Sequence, residues 1–163
     1  MGAPVVIRRA VPDDAPAITE ALRAAFAPFA ALYTAEALAA TVVEPDEVRA
    51  RMAEGPVWVA QTEGVIVGTV SVLPRGADLY VRGMAVHPAR QAAGAGRRLL
   101  AEVDAFAHAR GFARLTLCTT PYLERAIRLY ERVGFVRTGE GPDDLFGTPL
   151  FAMAKPLAPT PSV

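Results

Sequence analysis

Short runs rich in β-branched residues alternate along the chain with segments whose apolar residues recur at helical spacing. The runs predict strands over residues 5–8, 57–60, 65–73, 78–86, 115–119, 136–139 and 150–155. The helical segments predict one helix that ends near residue 27, others over residues 35–42, 46–52 and 97–110, and one between Pro121 and Gly134. Proline and glycine delimit most of these segments, as expected at element ends.

The order of the predicted elements indicates the fold class. One strand and the N-terminal helices precede a run of strands, in which residues 61–64 form a short link that suits an antiparallel hairpin. After this run the chain continues with a helix, a strand, a second helix and two final strands. This mixture predicts an α+β domain around one mixed sheet. We expect a single domain over residues 1–157 and a loose tail over residues 158–163, which holds two prolines.

Composition narrows the classes of partner. The chain has 163 residues, of which 52% are hydrophobic and 21% charged, as in a folded globular domain. Its 17 basic and 17 acidic residues cancel, which argues against nucleic acid or an anionic membrane as the main partner. Nearly all the basic residues are Arg, and Ala is abundant. This bias is typical of a GC-rich bacterial genome.

Cysteine usage and apolar run length indicate the compartment. Cys118 is the only cysteine, which excludes an internal disulfide and a Cys-based zinc site. No apolar run approaches the ~18 residues of a membrane span, and residues 1–10 lack a signal-peptide core. We therefore expect a cytoplasmic protein without a metal.

The loop from Gln91 to Gly96 is the main candidate for a binding site. It joins a strand to a helix and consists mostly of alanine and glycine, so an anion could approach the helix's first N–H groups closely. A plain tight turn explains the loop and helix equally well. The loop lacks the Lys-Ser/Thr ending of a P-loop, and Leu99 stands where a dinucleotide-binding fingerprint has Gly or Ala.

Two motifs together resemble the GCN5-related N-acetyltransferase (GNAT) family. Residues 84–88 followed by Gln91-Ala92-Ala93-Gly94-Ala95-Gly96-Arg97 resemble its acetyl-CoA signature, Gln or Arg, two residues, Gly, one residue, Gly or Ala. Residues 126–135 resemble its later helix, which ends in Leu-Tyr, three residues and Gly-Phe. The resemblance covers residues 5–157. Leu123 departs from it, since many members have Asn there.

The resemblance implies a mostly antiparallel, twisted sheet flanked by helices, with two parallel strands that splay apart around acetyl-CoA. Backbone groups of Met84, Ala85 and Val86 would bind pantetheine, and an N–H near Met84 would stabilise the oxyanion. Tyr130 would be the general acid toward the departing CoA thiolate. The remaining residues expected to bind the cofactor are Gln91, Ala92, Ala93, Gly94, Ala95, Gly96 and Arg97.

No residue is singled out as the general base for the incoming amine. His87 precedes a proline at a strand end, where a turn role is expected, and the helix dipole explains His108 near a helix C-terminus. Three residues belong to the region that shapes the acceptor site in the family, and for each an exposed surface role is the alternative: Tyr33, Glu44 and Glu54. A lone Cys in an apolar strand, such as Cys118, is usually a core residue.

The predicted function is transfer of the acetyl group of acetyl-CoA to a primary amine on a small molecule or peptide. The alternative is a non-catalytic module of the same fold that binds or senses acyl-CoA. The acceptor is not encoded in any motif of residues 26–55. Apolar residues there, including Phe26 and Phe29, fit core packing, an acceptor pocket or a homodimer contact.

Overall fold

The computed structural model describes residues 3–158 as one seven-stranded sheet, a small hairpin and five α-helices. The strands are β1 (Val6–Arg9), β2 (Val57–Thr62), β3 (Val65–Arg75), β4 (Asp78–Val86), β5 (Arg114–Thr119), β6 (Val136–Arg137), β7 (Asp144–Leu145), β8 (Thr148–Pro149) and β9 (Phe151–Pro156). The helices are α1 (Ala15–Phe26), α2 (Ala35–Thr41), α3 (Pro45–Glu54), α4 (Ala95–Ala109) and α5 (Glu124–Arg132). Short 3₁₀ segments span Pro12–Asp14, Ala27–Leu32 and Pro88–Ala93.

The sheet has the order β1-β2-β3-β4-β5-β9-β6, and only the β4–β5 pair in it is parallel. That parallel pairing lasts three residues, from Asp78 opposite Arg114 to Tyr80 opposite Thr116. Beyond Tyr80 the two strands separate, and residues 81–86 of β4 have no partner strand on that side. The mixed, mostly antiparallel sheet with two splayed parallel strands is therefore confirmed.

Helices cover both faces of the sheet. Since side chains alternate between the faces along each strand, each face has its own core. One core lies beneath α4 and α5, and its side chains exposed by 1% or less include Leu79, Leu99, Val103, Leu115, Phe135 and Met153. A second core lies beneath α1 and α3 and includes Ile18, Leu22, Val48 and Ala85. Since Ala85 belongs to the second core and Met84 and Val86 pack against the first, the end of β4 contributes to both.

Each predicted helix and strand is present, with small differences at the ends. Helix α4 begins at Ala95, two residues earlier than predicted. A strand was predicted over residues 136–139, but β6 ends at Arg137. The reason is that Gly139 has a φ of +73°, which interrupts an extended strand. The 3₁₀ segments and the β7–β8 hairpin were not predicted.

Two further expectations concern the ends of the chain and the membrane. Residues 159–163 of the predicted tail lie outside the described residues, so the domain boundary stays a prediction. Within residues 3–158, no helix combines the length and the apolar character needed to cross a bilayer.

Candidate functional site

A cleft of about 510 Å³ opens between the end of β4, the start of α4 and helix α5, with the end of α1 at its rim. Eight of the eleven predicted site residues line it: Met84, Ala85, Val86, Gln91, Gly94, Gly96, Arg97 and Tyr130. The apolar part of the wall comes mainly from Phe26, Phe29, Leu123, Ala126 and Leu129. The structure thus brings the two sequence motifs together around one cavity.

The free edge of β4 presents backbone groups to this cleft. The His87 N–H donates to the Val67 carbonyl at 2.7 Å, which fixes the alternation of paired and unpaired residues along the antiparallel β3–β4 ladder. Ala85, two residues earlier, therefore pairs with Thr69. The same alternation directs the backbone groups of Val86, and of Met84 two residues earlier, away from β3 and toward the cleft. Of the three residues predicted to bind pantetheine, these two have backbone groups available to a ligand.

A β-bulge at Gly83 and Met84 bends β4. Thr69 and Ser71 on β3 lie opposite Ala85 and Arg82 on β4, so β4 has one extra residue in this interval. Gly83 within it has a φ of +62°, a conformation that other residues adopt at a cost. Bulges bend a strand and increase its twist, which helps to separate β4 from β5 where the cleft opens.

The N-terminus of α4 forms the anion-binding end of the cleft. Gly94 has a φ of +77° and offers no capping side chain. The first helical hydrogen bond runs from the Arg98 N–H to the Gly94 carbonyl, so the N–H groups of residues 95–97 have no helical partner. With the positive end of the helix dipole, they create a site that favours a phosphate.

Small residues in the loop have different structural roles. A Cβ on Gly96 would lie 2.9 Å from Leu129 Cδ2 and 3.3 Å from Met84 Cε, so glycine lets α4 approach α5 closely. The Ala95 side chain is fully buried in the core, and Ala93 is exposed. Ala92 belongs to the 3₁₀ segment before the helix. The predicted roles of Ala92, Ala93 and Ala95 therefore depend on backbone groups.

Arginines also contribute to the wall of the cleft. Arg97 lines it, whereas Arg98 donates to the Val5 carbonyl and is held against β1. Arg125 and Arg132 of α5 also line the cleft, and both were missed in the sequence. Their separation of seven residues places them on one helix face with Leu129, and this spacing is the signal that would have found them.

Tyr130 lies on the cleft wall and is 6% exposed. Its ring packs edge-on against Phe135, with centroids 5.7 Å apart. Burial raises the pKa of the Tyr130 hydroxyl, and nearby Tyr33 adds to this effect. The hydroxyl is therefore a neutral hydrogen-bond donor at physiological pH.

Other candidate residues have defined roles or lie away from the cleft wall. His87 Nδ1 accepts from the Ala89 N–H at 3.1 Å, as a turn residue does, and His108 lies 3.9 Å from Asp104. The Tyr33 hydroxyl lies 3.4 Å from Thr120 Oγ1. Glu44 and Glu54 pair with arginines, and Cys118 is half-buried. A general base is therefore still unassigned, and residues 3–158 contain no cluster of three acidic, His or Cys side chains suited to a metal.

Comparison with protein families matches residues 18–135 to the acetyltransferase (GNAT) family. Rat N-acetyltransferase family 8 member 3 is 33% identical over 89 residues, which cover 51% of this chain and 39% of that relative. This chain thus spans about two fifths of the length of the mammalian relatives that it matches. IAA acetyltransferase of Azospirillum brasilense is 36% identical over 105 residues, 61% of this chain and 66% of the relative.

Solved structures show the same architecture. A putative acetyltransferase from Salmonella typhimurium, determined with its cofactor acetyl-CoA, has a TM-score of 0.72 and 27% identity, covering 97% of this chain and 96% of its own. An N-acetyltransferase from Thermoplasma acidophilum in complex with coenzyme A has a TM-score of 0.80 over 93% of this chain and 98% of its own. At 15% identity the second likeness concerns the fold alone.

Proposed function

The chain belongs to the acetyltransferase (GNAT) family, and from this membership we propose that it transfers the acetyl group of acetyl-CoA to a primary amine. The main support is one continuous cleft that joins the free edge of β4, the uncapped N-terminus of α4 and the Tyr130 side chain. The Salmonella neighbour with acetyl-CoA and the acetyltransferase relatives support the acetyl-transfer part of this proposal.

Donor binding in this proposal uses mainly backbone groups. Pantetheine pairs with Met84 and Val86 like an additional strand on the free edge of β4. The diphosphate accepts hydrogen bonds from the N–H groups of residues 95–97, and Arg97 pairs with its charge. Val86 is partly occupied, because Gln91 Nε2 lies 3.4 Å from its carbonyl oxygen. Movement of the Gln91 side chain would release that acceptor.

The reaction is a direct acyl transfer. The neutral amine attacks the thioester carbonyl, and a backbone N–H at Met84 stabilises the oxyanion. As the C–S bond breaks, the Tyr130 hydroxyl gives its proton to the CoA sulfur and regains one from solvent. The proton lost by the attacking nitrogen leaves to solvent. The raised pKa of Tyr130 makes it a weaker acid than a thiol with a pKa near ~8.5. The help from Tyr130 is therefore modest, at the low end of the ~10²–10⁴ range for general acids.

Thiol release from acetyl-CoA with a panel of amines tests this function. For Tyr130→Phe we expect a kcat about 100-fold lower and an unchanged KM for acetyl-CoA. Tyr122→Phe is the control, because Tyr122 is half-buried and absent from the cleft wall. Wild-type turnover by Tyr130→Phe would refute the acid role. Tight CoA binding without thiol release for any amine would instead support the acyl-CoA-binding alternative.

A further inference from the structure

Two arginines meet on the face of β4 that α1 and α3 cover. Arg51 of α3 lies over the bulge, with Nη1 2.9 Å from the point where a Cβ would stand on Gly83. Arg82 of β4 is close enough for its charge to act on Arg51. Both side chains are partly exposed. We call these two residues the arginine pair.

The arginine pair has unused donors. Arg82 Nη2 donates to Glu54 at 3.0 Å, but the Nε atoms of Arg51 and Arg82 are both buried without a hydrogen-bond partner. Within residues 3–158, no carboxylate lies within ion-pair distance of Arg51. Burial and the Arg82 charge lower the pKa of Arg51, and the charges of Glu47 and Glu54 offset this effect only in part. A guanidinium with this little compensation is unfavourable unless an anion binds to it.

The position of Arg51 connects it to the proposed reaction. Gly83 immediately precedes Met84, whose backbone faces the cleft, and consecutive Cα atoms are about 3.8 Å apart. An anion on Arg51 would therefore adjoin the backbone segment that carries the proposed oxyanion site. The planar guanidinium fork matches a carboxylate in two parallel hydrogen bonds.

We propose that Arg51, supported by Arg82, binds the carboxylate of the acceptor, and that the acceptor is an amino acid with its amine close to that carboxylate. This inference rests on the proposed acetyl transfer. The competing explanation is structural. A cavity of about 10 Å³ lined by Arg51, Ser71 and Gly83 has room for about one water. Such a water would satisfy Arg51 Nε without any role in acceptor binding.

Matched acceptors distinguish the two explanations. Amino acids and their amides share a side chain and an amine, but only the acids carry the carboxylate. For Arg51→Gln we expect the KM for amino acids to rise about 10- to 100-fold, with little change in kcat and no change for the amides. Arg51→Lys should recover part of the loss. Arg49→Gln on the same helix is the control, since Arg49 is exposed and paired with Asp46.

Several results would overturn the inference. The first is a wild-type enzyme that acetylates amino acid amides as well as the amino acids. The second is an equal rise in KM for Arg51→Gln and Arg49→Gln. The third is a preference of the wild-type enzyme for peptide N-termini. Calorimetry of acetyl-CoA with the wild-type protein is run first. If acetyl-CoA does not bind, the proposed function itself is refuted. If no amine is acetylated, calorimetry of N-acetylalanine with the CoA-bound protein decides. Binding that Arg51→Gln abolishes supports the carboxylate site, and no binding to the wild type refutes it. If Arg51→Gln does not fold, the acid-to-amide comparison in the wild type decides alone.

Discussion

Gly94→Ala is expected to weaken coenzyme A binding, whereas Gly111→Ala leaves the affinity unchanged. The two glycines flank α4 with φ values of +77° and +76°. At neither position would an added Cβ meet another atom within 4 Å. Gly94 lines the cleft and Gly111 does not. The pair therefore separates the conformational cost of the substitution from its effect on the binding site.

The stability cost should be the same for both variants. Left-handed backbone costs an L-residue about 1–2 kcal/mol, and the stiffer unfolded chain of the alanine variant offsets about 0.4–1 kcal/mol of it. The net loss of about 1 kcal/mol lowers Tm by about 2–4 °C for a domain of this size. Thermal unfolding of both variants checks this equality before any binding measurement.

The affinity effect comes from the amides that follow Gly94. The added methyl group of Gly94→Ala would stand in open space at the cleft wall, where it keeps the diphosphate from approaching the N–H groups of residues 95–97 closely. Loss of one hydrogen bond to a charged group costs about 1.5–3 kcal/mol, or a rise in Kd of about 10- to 150-fold. Calorimetry should show this rise for coenzyme A and no change for pantetheine, which lacks the diphosphate. Equal affinities of the two variants, or the same loss for pantetheine, would refute the assignment of the diphosphate to this loop.

Two further predictions concern stability. Phe135→Ala removes a side chain that is 1% exposed and packs against Tyr130. We therefore expect urea unfolding to show a free energy of unfolding lower by about 3–5 kcal/mol. A decrease below about 1 kcal/mol would contradict this packing. Asp14→Asn removes the 2.8 Å ion pair with Arg8, whose hydrogen bond is the main cause of the lowered pKa of Asp14. Because that pKa is lowered on folding, the pair stabilises the protein above the unfolded value near ~3.9 and stops doing so as pH falls through the folded value. The variant should therefore be less stable by about 0.5–1 kcal/mol at neutral pH and equal to wild type at about pH 2, and a difference that persists there contradicts the ion-pair explanation.

Periodicity predicted the main elements because each of them buries one continuous face. The α4 pattern of Leu99, Leu100, Val103 and Ala107 corresponds to four buried side chains, and strand β5 alternates buried and half-buried positions. The β7–β8 hairpin has no such pattern. Its position depends on a distant contact, in which Thr148 Oγ1 accepts from the Thr34 N–H at 2.9 Å, and a local sequence window does not contain that information.

The donor half of the site was easier to predict than the acceptor half because the two halves are encoded differently. Backbone groups form most of the donor half, so it needs small residues close together in the sequence, as in the loop from Gln91 to Gly96. Side chains from separate elements form the proposed acceptor half, where Arg51 of α3 meets Arg82 of β4 over Gly83. Their proximity depends on a bulge and on sheet register, which short motifs do not record. We therefore expect single substitutions at Arg51 to change the choice of acceptor, and substitutions at exposed loop positions such as Ala93 to leave acetyl-CoA binding unchanged.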